Sequence, residues 1–293
     1  MIEEQSLTMK AKDFLLDLFF PKKCVSCGKI DTFLCDKCLR KIVFIKSPVC
    51  LGCGRLSENG KFCPRCRPKN HLKGVVIAAH FEEGPLKELI HSFKYESLKG
   101  LDQTLANFLA AALKRYNFKT DYLISYVPLH RSRYHWRGYN QSELLAKKTA
   151  EAMNMYFLKN LLRKKKKTKY QIQLKRKERL LNLNGVFEVN KKVALNCHSG
   201  LDPESKNKIL NPAFAQLRPG GQVQNDKTVS CSSCHSDPIR ISQGKFHGGI
   251  FLKNKKIIIV DDVVTTGTTL NECAKVLKEA GAKEVWGLVL GKH

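Results

Sequence analysis

From residue 74 onward the chain alternates between two hydrophobic patterns. Val75-Val76-Ile77-Ala78-Ala79 is a short apolar run that reads as a strand. Residues 85–95 switch to helical spacing, with Pro85 near the start and Leu86, Leu89, Ile90 and Phe93 on one face. Residues 105–116, rich in Ala and Leu, predict a second helix, and Tyr122-Leu123-Ile124-Ser125-Tyr126-Val127 a strand that Pro128 ends. Residues 141–153 are helical again. Ile257-Ile258-Ile259-Val260 suits a strand buried on both faces of a parallel sheet. A helical pattern follows its turn, and residues 285–290 form the last strand. Strands alternating with helices predict an α/β fold with a mostly parallel sheet.

Three stretches break this alternation. Residues 1–20 contain the apolar segment Asp13-Phe14-Leu15-Leu16-Asp17-Leu18-Phe19-Phe20, which is short and carries two aspartates. It reads as an amphipathic helix packed on the body, not as a signal peptide, and Met9 is an alternative start. Residues 21–70 hold too few large apolar side chains for a core of their own. Residues 191–252 are rich in Ser, Asn, Gly, Pro and Gln and keep no period. A loop this long inside a compact domain reads as an insertion, expected to be disordered. The body is thus residues 71–293, interrupted by that insertion.

Charge narrows the class of partner. Lys and Arg number 52 against 26 acids in 293 residues, a net +26 that favours polyanions such as nucleic acid, an anionic membrane surface or phosphorylated substrates. No run of about 18 apolar residues occurs, so no transmembrane segment is expected. Residues 163–179 hold ten Lys/Arg and one Glu. This run, with Lys164, Lys165, Lys166 and Lys167 at its centre, fits a nucleic-acid track, a flap over phosphates or a solvated face.

Eight of the twelve cysteines stand as four C-x-x-C pairs: Cys24/Cys27, Cys35/Cys38, Cys50/Cys53 and Cys63/Cys66. Each knuckle aims two sulfurs at one point, and two knuckles complete a tetrahedral S₄ site. With no export signal, zinc is preferred to disulfides. Two Zn²⁺ ions are expected, in sequential tetrads or, alternatively, interleaved ones. Gly28, Gly52 and Gly54 flank the knuckles, where tight turns need positive φ. The metal would supply much of the module's folding free energy. Lys22, Lys23, Lys37, Arg40, Lys41, Arg65 and Arg67 would let it grip nucleic acid, and a purely structural role fits equally well. A further Cys231-Ser232-Ser233-Cys234-His235 matches c-type haem attachment, but it lies in the inserted piece of a chain without an export signal.

The densest chemistry lies at residues 257–270, where the apolar strand runs into Asp261 and Asp262 and then Val263-Val264-Thr265-Thr266-Gly267-Thr268-Thr269. Carboxylates at a strand's carboxyl end sit where open α/β sheets bind ligands. A small turn at a helix N-terminus offers N–H groups to an anion. Together they describe a receptor for a sugar phosphate. The stretch lacks the Gly-Lys-Ser/Thr ending of a P-loop and is not a G-x-G-x-x-G fingerprint. It resembles the phosphoribosyl pyrophosphate (PRPP) signature of type I phosphoribosyltransferases. That resemblance implies that Asp261 and Asp262 grip the ribose hydroxyls, and that Val263 and the turn Thr265, Thr266, Gly267, Thr268 and Thr269 wrap the 5′-phosphate. A second patch, residues 127–141, starts at a strand end on the same rim. Its Arg131, Arg133 and Arg137 suit a pyrophosphate, since guanidinium pairs bidentately with phosphate oxygens.

The order of landmarks is more specific. Four knuckles, Val127-Pro128-Leu129-His130 with Arg137-Gly138-Tyr139-Asn140-Gln141, Gln173-Leu174 with Arg179, Asn182 and Phe187, and then the PRPP signature are similar to the ComF/ComFC family of competence proteins. The likeness spans residues 14–189 and 253–292, and Arg131 stands where many relatives have Pro. It implies a double zinc ribbon joined to a type I phosphoribosyltransferase-like, Rossmann-like fold. It also implies a cytoplasmic role in handling single-stranded DNA during natural transformation, PRPP bound with Mg²⁺, and a competence helicase as partner. Two functions remain open at this point: phosphoribosyl transfer, or a non-catalytic adaptor that senses PRPP or a 5′-phosphate. No residue announces the acceptor.

Overall fold

In the computed structural model the described residues are 22–82, 84–95, 99–165, 185–190 and 252–293. The expected helix at 1–20, Lys166, Lys167, the family landmarks between 173 and 182, and the segment 191–251 with its C-x-x-C-H lie outside them.

Five strands form one all-parallel sheet in the order β1-β7-β6-β2-β3. They are β1 (Gly74–His80), β2 (Tyr122–Tyr126), β3 (Tyr156–Phe157), β6 (Lys256–Val264) and β7 (Glu284–Lys292). A separate antiparallel pair joins β4 (Leu162–Lys164) to β5 (Phe187–Val189). The helices are α1 (Asp36–Leu39), α2 (Leu86–Tyr95), α3 (Asp102–Arg115), α4 (Arg131–Arg137), α5 (Gln141–Met153) and α6 (Thr268–Glu279). No described helix is long and apolar enough to cross a membrane.

Alternation along the strands divides the interior into two cores. Val76, Ala78, Ile258, Val260, Trp286 and Leu288 face α2, α3 and α5. Val75, Ile77, Ile257, Ile259, Val285 and Val289 face α6 and the β4–β5 pair. Both faces of the sheet are therefore covered, and the apolar run of β6 is needed on both sides, with Ile257 to Val260 all 0% exposed.

The cysteine module wraps the sheet edge at β1. Phe44 bridges to Ala79 and Lys61 to Gly74, both antiparallel. The N–H groups of Ile45 and His80 complete the cover by donating to the carbonyls of Ala78 and Val43. An exposed parallel edge would invite pairing with another chain. Here the module closes it and borrows the body's core in return. Val25, Phe33, Leu34 and Leu39 lie on the α2–α3 face, and Leu51, Phe62 and Leu72 on the α6 face.

Three expectations change. The basic patch at 131–137, for which no element was predicted, contains a helix: His130 caps it by accepting from Ser132 N–H at 3.2 Å, and Gly138 ends it in the left-handed conformation at φ 74°. Gly28 and Gly54 have the expected positive φ, whereas Gly52 does not. It is glycine because a Cβ there would meet Cys66 Sγ at 2.9 Å. Leu252, assigned to the insertion, is fully buried in the α6 core, and its N–H bonds the Ala280 carbonyl at 3.0 Å.

Candidate functional site

β2 and β6 are parallel neighbours, with Tyr126 opposite Val260, so Pro128 and Asp261 emerge on the same carboxyl rim. Asp261 and Asp262 are half-buried there. Each turns back on the chain: Asp261 Oδ1 accepts from Asp262 N–H at 3.0 Å, and Asp262 Oδ1 from Val263 N–H at 2.6 Å. Two side chains absent from the sequence reading hold them. Ser142, in the first turn of α5, donates its hydroxyl to Asp261 Oδ1 at 2.9 Å. Lys94, near the end of α2, pairs with Asp262 Oδ1 at 2.9 Å. Asn140 fixes the corner by accepting from Ser142 N–H at 3.0 Å and donating to Val127 O at 3.1 Å. The only sequence signal for this trio was Asn140 in a cap position before a helical run. Burial, reinforced by the neighbouring Asp262 charge, pushes the Asp261 carboxyl up to about 7, against the pull of the Ser142 hydrogen bond.

The turn after β6 leads into α6 through Gly267, at φ 78°. A Cβ on Gly267 would stand 2.6 Å from Leu51 Cδ2, so the third cysteine knuckle lies directly against this turn. Thr266 and Thr268 share a hydroxyl hydrogen bond of 2.7 Å. The turn places Thr265, Thr266, Thr268 and Thr269 around the first turn of α6, whose N–H groups and positive dipole end favour a phosphate.

The three arginines separate. Arg131 is the first residue of α4 and exposed, in the slot where proline is well tolerated. Arg133 follows two residues later, a little over half a helical turn on, and is half-buried. Arg137 is taken up elsewhere: its guanidinium lies 5.3 Å from the Tyr95 ring centre and 5.8 Å from that of Trp136, and Nη1 donates to Gln141 Oε1 at 3.1 Å. Lys164 ends β4 and Lys165 follows it. Lys164 Nζ lies 5.6 Å from the Phe187 ring, and burial lowers its ammonium to about 8. Lys165 pairs with Glu188 at 2.6 Å.

The eight module cysteines fall into two groups in sequential order, Cys24/Cys27/Cys35/Cys38 and Cys50/Cys53/Cys63/Cys66, with all sulfurs of a group within 4.8 Å of one another. A tetrahedral ion with Zn–S near 2.3 Å needs sulfurs about 3.8 Å apart. The Cys27–Cys35 and Cys53–Cys63 separations are 3.5 and 3.7 Å. The donor sets therefore fit structural zinc.

Comparison with known proteins bears out the zinc-ribbon and phosphoribosyltransferase parts, although the phosphoribosyltransferase match begins inside the segment read as an insertion. A double zinc ribbon domain matches residues 15–67, and a phosphoribosyl transferase domain matches residues 218–290. Competence protein F of Haemophilus influenzae is 27% identical over 282 residues, covering 92% of this chain and 97% of that protein. Over most of its length the chain is thus similar to the ComF/ComFC competence proteins. Competence protein ComFC of Streptococcus pneumoniae is 27% identical over 258 residues, or 87% of this chain and 86% of the relative. An orotate phosphoribosyltransferase of Helicobacter pylori is 54% identical over 33 residues, only 16% of its length. The two competence-protein matches cover most of the chain, while the third likeness is local.

Proposed function

We propose that this ComF-like protein binds PRPP at the rim of β6 and acts on single-stranded DNA during transformation. The observation that carries the PRPP reading is the pairing of Asp261 and Asp262 with the threonine turn at the N-terminus of α6. The carboxylates would accept from the ribose hydroxyls, with Ser142 and Lys94 holding them in place. Amides and hydroxyls from Thr265 to Thr269 would take the 5′-phosphate. Arg131 and Arg133 would steady the pyrophosphate, acting where negative charge grows as its bond to C1 lengthens. Mg²⁺ arriving with PRPP would supply charge neutralisation on the pyrophosphate.

The decisive measurement is calorimetry with PRPP and Mg²⁺. Asp261→Asn combined with Asp262→Asn should abolish binding, and unchanged affinity would remove the site. Incubation with PRPP, Mg²⁺ and a panel of bases then separates transfer from sensing. Pyrophosphate release with one base identifies a phosphoribosyltransferase; binding without release identifies the non-catalytic adaptor. The adaptor reading, with a helicase as its partner, draws support from the +26 charge.

A further inference from the structure

The ends of α2 and α4 meet in an exposed group of aromatic and cationic side chains that the PRPP site does not use. Trp136 is 70% exposed and Tyr95 51% exposed, large values for such side chains. Their rings stand edge to face with centres 6.4 Å apart, and the Arg137 guanidinium lies near both. The group is braced. Gln141 accepts from Arg137 and donates to Lys94 O at 3.5 Å, so the two helix ends are tied together. Tyr139 reinforces the same corner with its hydroxyl on Phe93 O. The rings are therefore held at the surface by a fixed frame.

We infer that Trp136 and Tyr95 form a stacking platform for the bases of a single-stranded nucleic acid. The inference rests on the nucleic-acid part of the function proposed above and gives it a location. Every base has a π-face, so exposed aromatic rings in a cationic setting bind single strands with little sequence preference. A duplex keeps its base faces buried and offers such rings no surface. The charge of α4 fits a polyanion: Arg131, Arg133 and Arg137 lie on seven residues without a single acid. The same charge opposes a second copy as occupant, because a two-fold contact would set one basic helix against its twin. Of the lysines named as a candidate track, Lys164 is packed on Phe187 and Lys165 is paired with Glu188, while Lys166 and Lys167 lie outside the described residues.

The chain has two tryptophans, and Trp286 is 3% exposed, so Trp136 is a natural reporter. The full-length zinc-loaded protein is titrated with an oligothymidylate of about 16 nucleotides, long enough for one such site. Binding should quench the Trp136 emission, and a duplex of equal length should not. Trp136→Ala should weaken single-strand binding roughly tenfold, Tyr95→Ala somewhat less, and Trp136→Phe should retain most of it. Both side chains are exposed, and zinc content and PRPP binding should stay as in the parent. If the oligonucleotide binds but neither the emission nor the Trp136→Ala affinity changes, the platform is wrong and the nucleic-acid reading survives. If it does not bind, both fall. Trp136 quenching that follows protein concentration alone, with dimers in sedimentation, would assign the surface to a second copy and overturn the proposal.

Discussion

The two cysteine tetrads are alike in chemistry and unlike in what they hold. Each brings four sulfurs from two knuckles within 4.8 Å. The first adds Phe33 and Leu34 to the α2–α3 face, where Phe33 lies against the Gly100 backbone at the start of α3. The second sends Cys50 and Leu51 into the opposite core, with Leu51 against Gly267. Its neighbour His71 donates its N–H to Asn271 of α6 at 2.7 Å. One tetrad therefore braces the far side of the sheet, and the other braces the threonine turn after β6. If that turn holds the 5′-phosphate as proposed, only the second tetrad bears on binding.

The largest expected effect separates the tetrads directly. Cys24→Ser and Cys50→Ser should each lose one zinc per chain by metal analysis. Each should destabilise its module by several kcal/mol, because structural zinc contributes about 10–16 kcal/mol to such folds. Only Cys50→Ser should also weaken PRPP binding strongly in calorimetry. Equal losses of PRPP affinity would erase the distinction.

A smaller effect tests the apolar contacts without touching metal. Leu51→Ala should cost about 2–5 kcal/mol in denaturant unfolding and loosen PRPP. Phe33→Ala should cost a similar amount, about 3–5 kcal/mol for a well-packed ring, with PRPP affinity kept. Smaller again is Gly267→Ala. The left-handed backbone alone costs about 1–2 kcal/mol with a side chain, and the new Cβ would collide with Leu51. Adding Leu51→Ala should relieve the collision and leave the backbone term. A double-mutant cycle with no coupling would show that the two residues do not meet.

The smallest effect is a change with pH. Asp261 is an acid whose folded pKa is raised, so the fold favours its neutral form. Its contribution to stability is therefore lost as pH rises from the ordinary carboxylate range through about 7. Ribose hydroxyls prefer the carboxylate, so PRPP affinity should rise over the same window. Ser142→Ala removes a hydrogen bond that lowers this pKa and should move the rise to higher pH. An unchanged midpoint would remove Ser142 as the residue that sets the charge of Asp261.

Much of this molecule was legible before folding was considered. The strands at 75–79, 122–127 and 257–260, the helices at 85–95 and 141–153, and the four knuckles all follow from local period and spacing. Short elements escaped. β3 and β4 are two and three residues long, and α4 depends on a histidine cap and a left-handed glycine more than on an apolar stripe. The partners of the carboxylates escaped for another reason. Ser142 is 119 residues from Asp261, and nothing local marks a lone serine or lysine as its neighbour.

The sequence alone determined the chemistry on offer: paired carboxylates before a threonine turn, two sets of four thiolates, and a large excess of positive charge. Those depend on residue type and near spacing, which the chain carries in one dimension. Only the tertiary structure decided that the second tetrad lies against the threonine turn, that Arg137 packs beside the Tyr95 and Trp136 rings, and that Lys94 and Ser142 hold the aspartates. Each of these depends on which faces meet across a parallel sheet. That is fixed by burying two apolar surfaces at once, a condition no single stretch of chain contains.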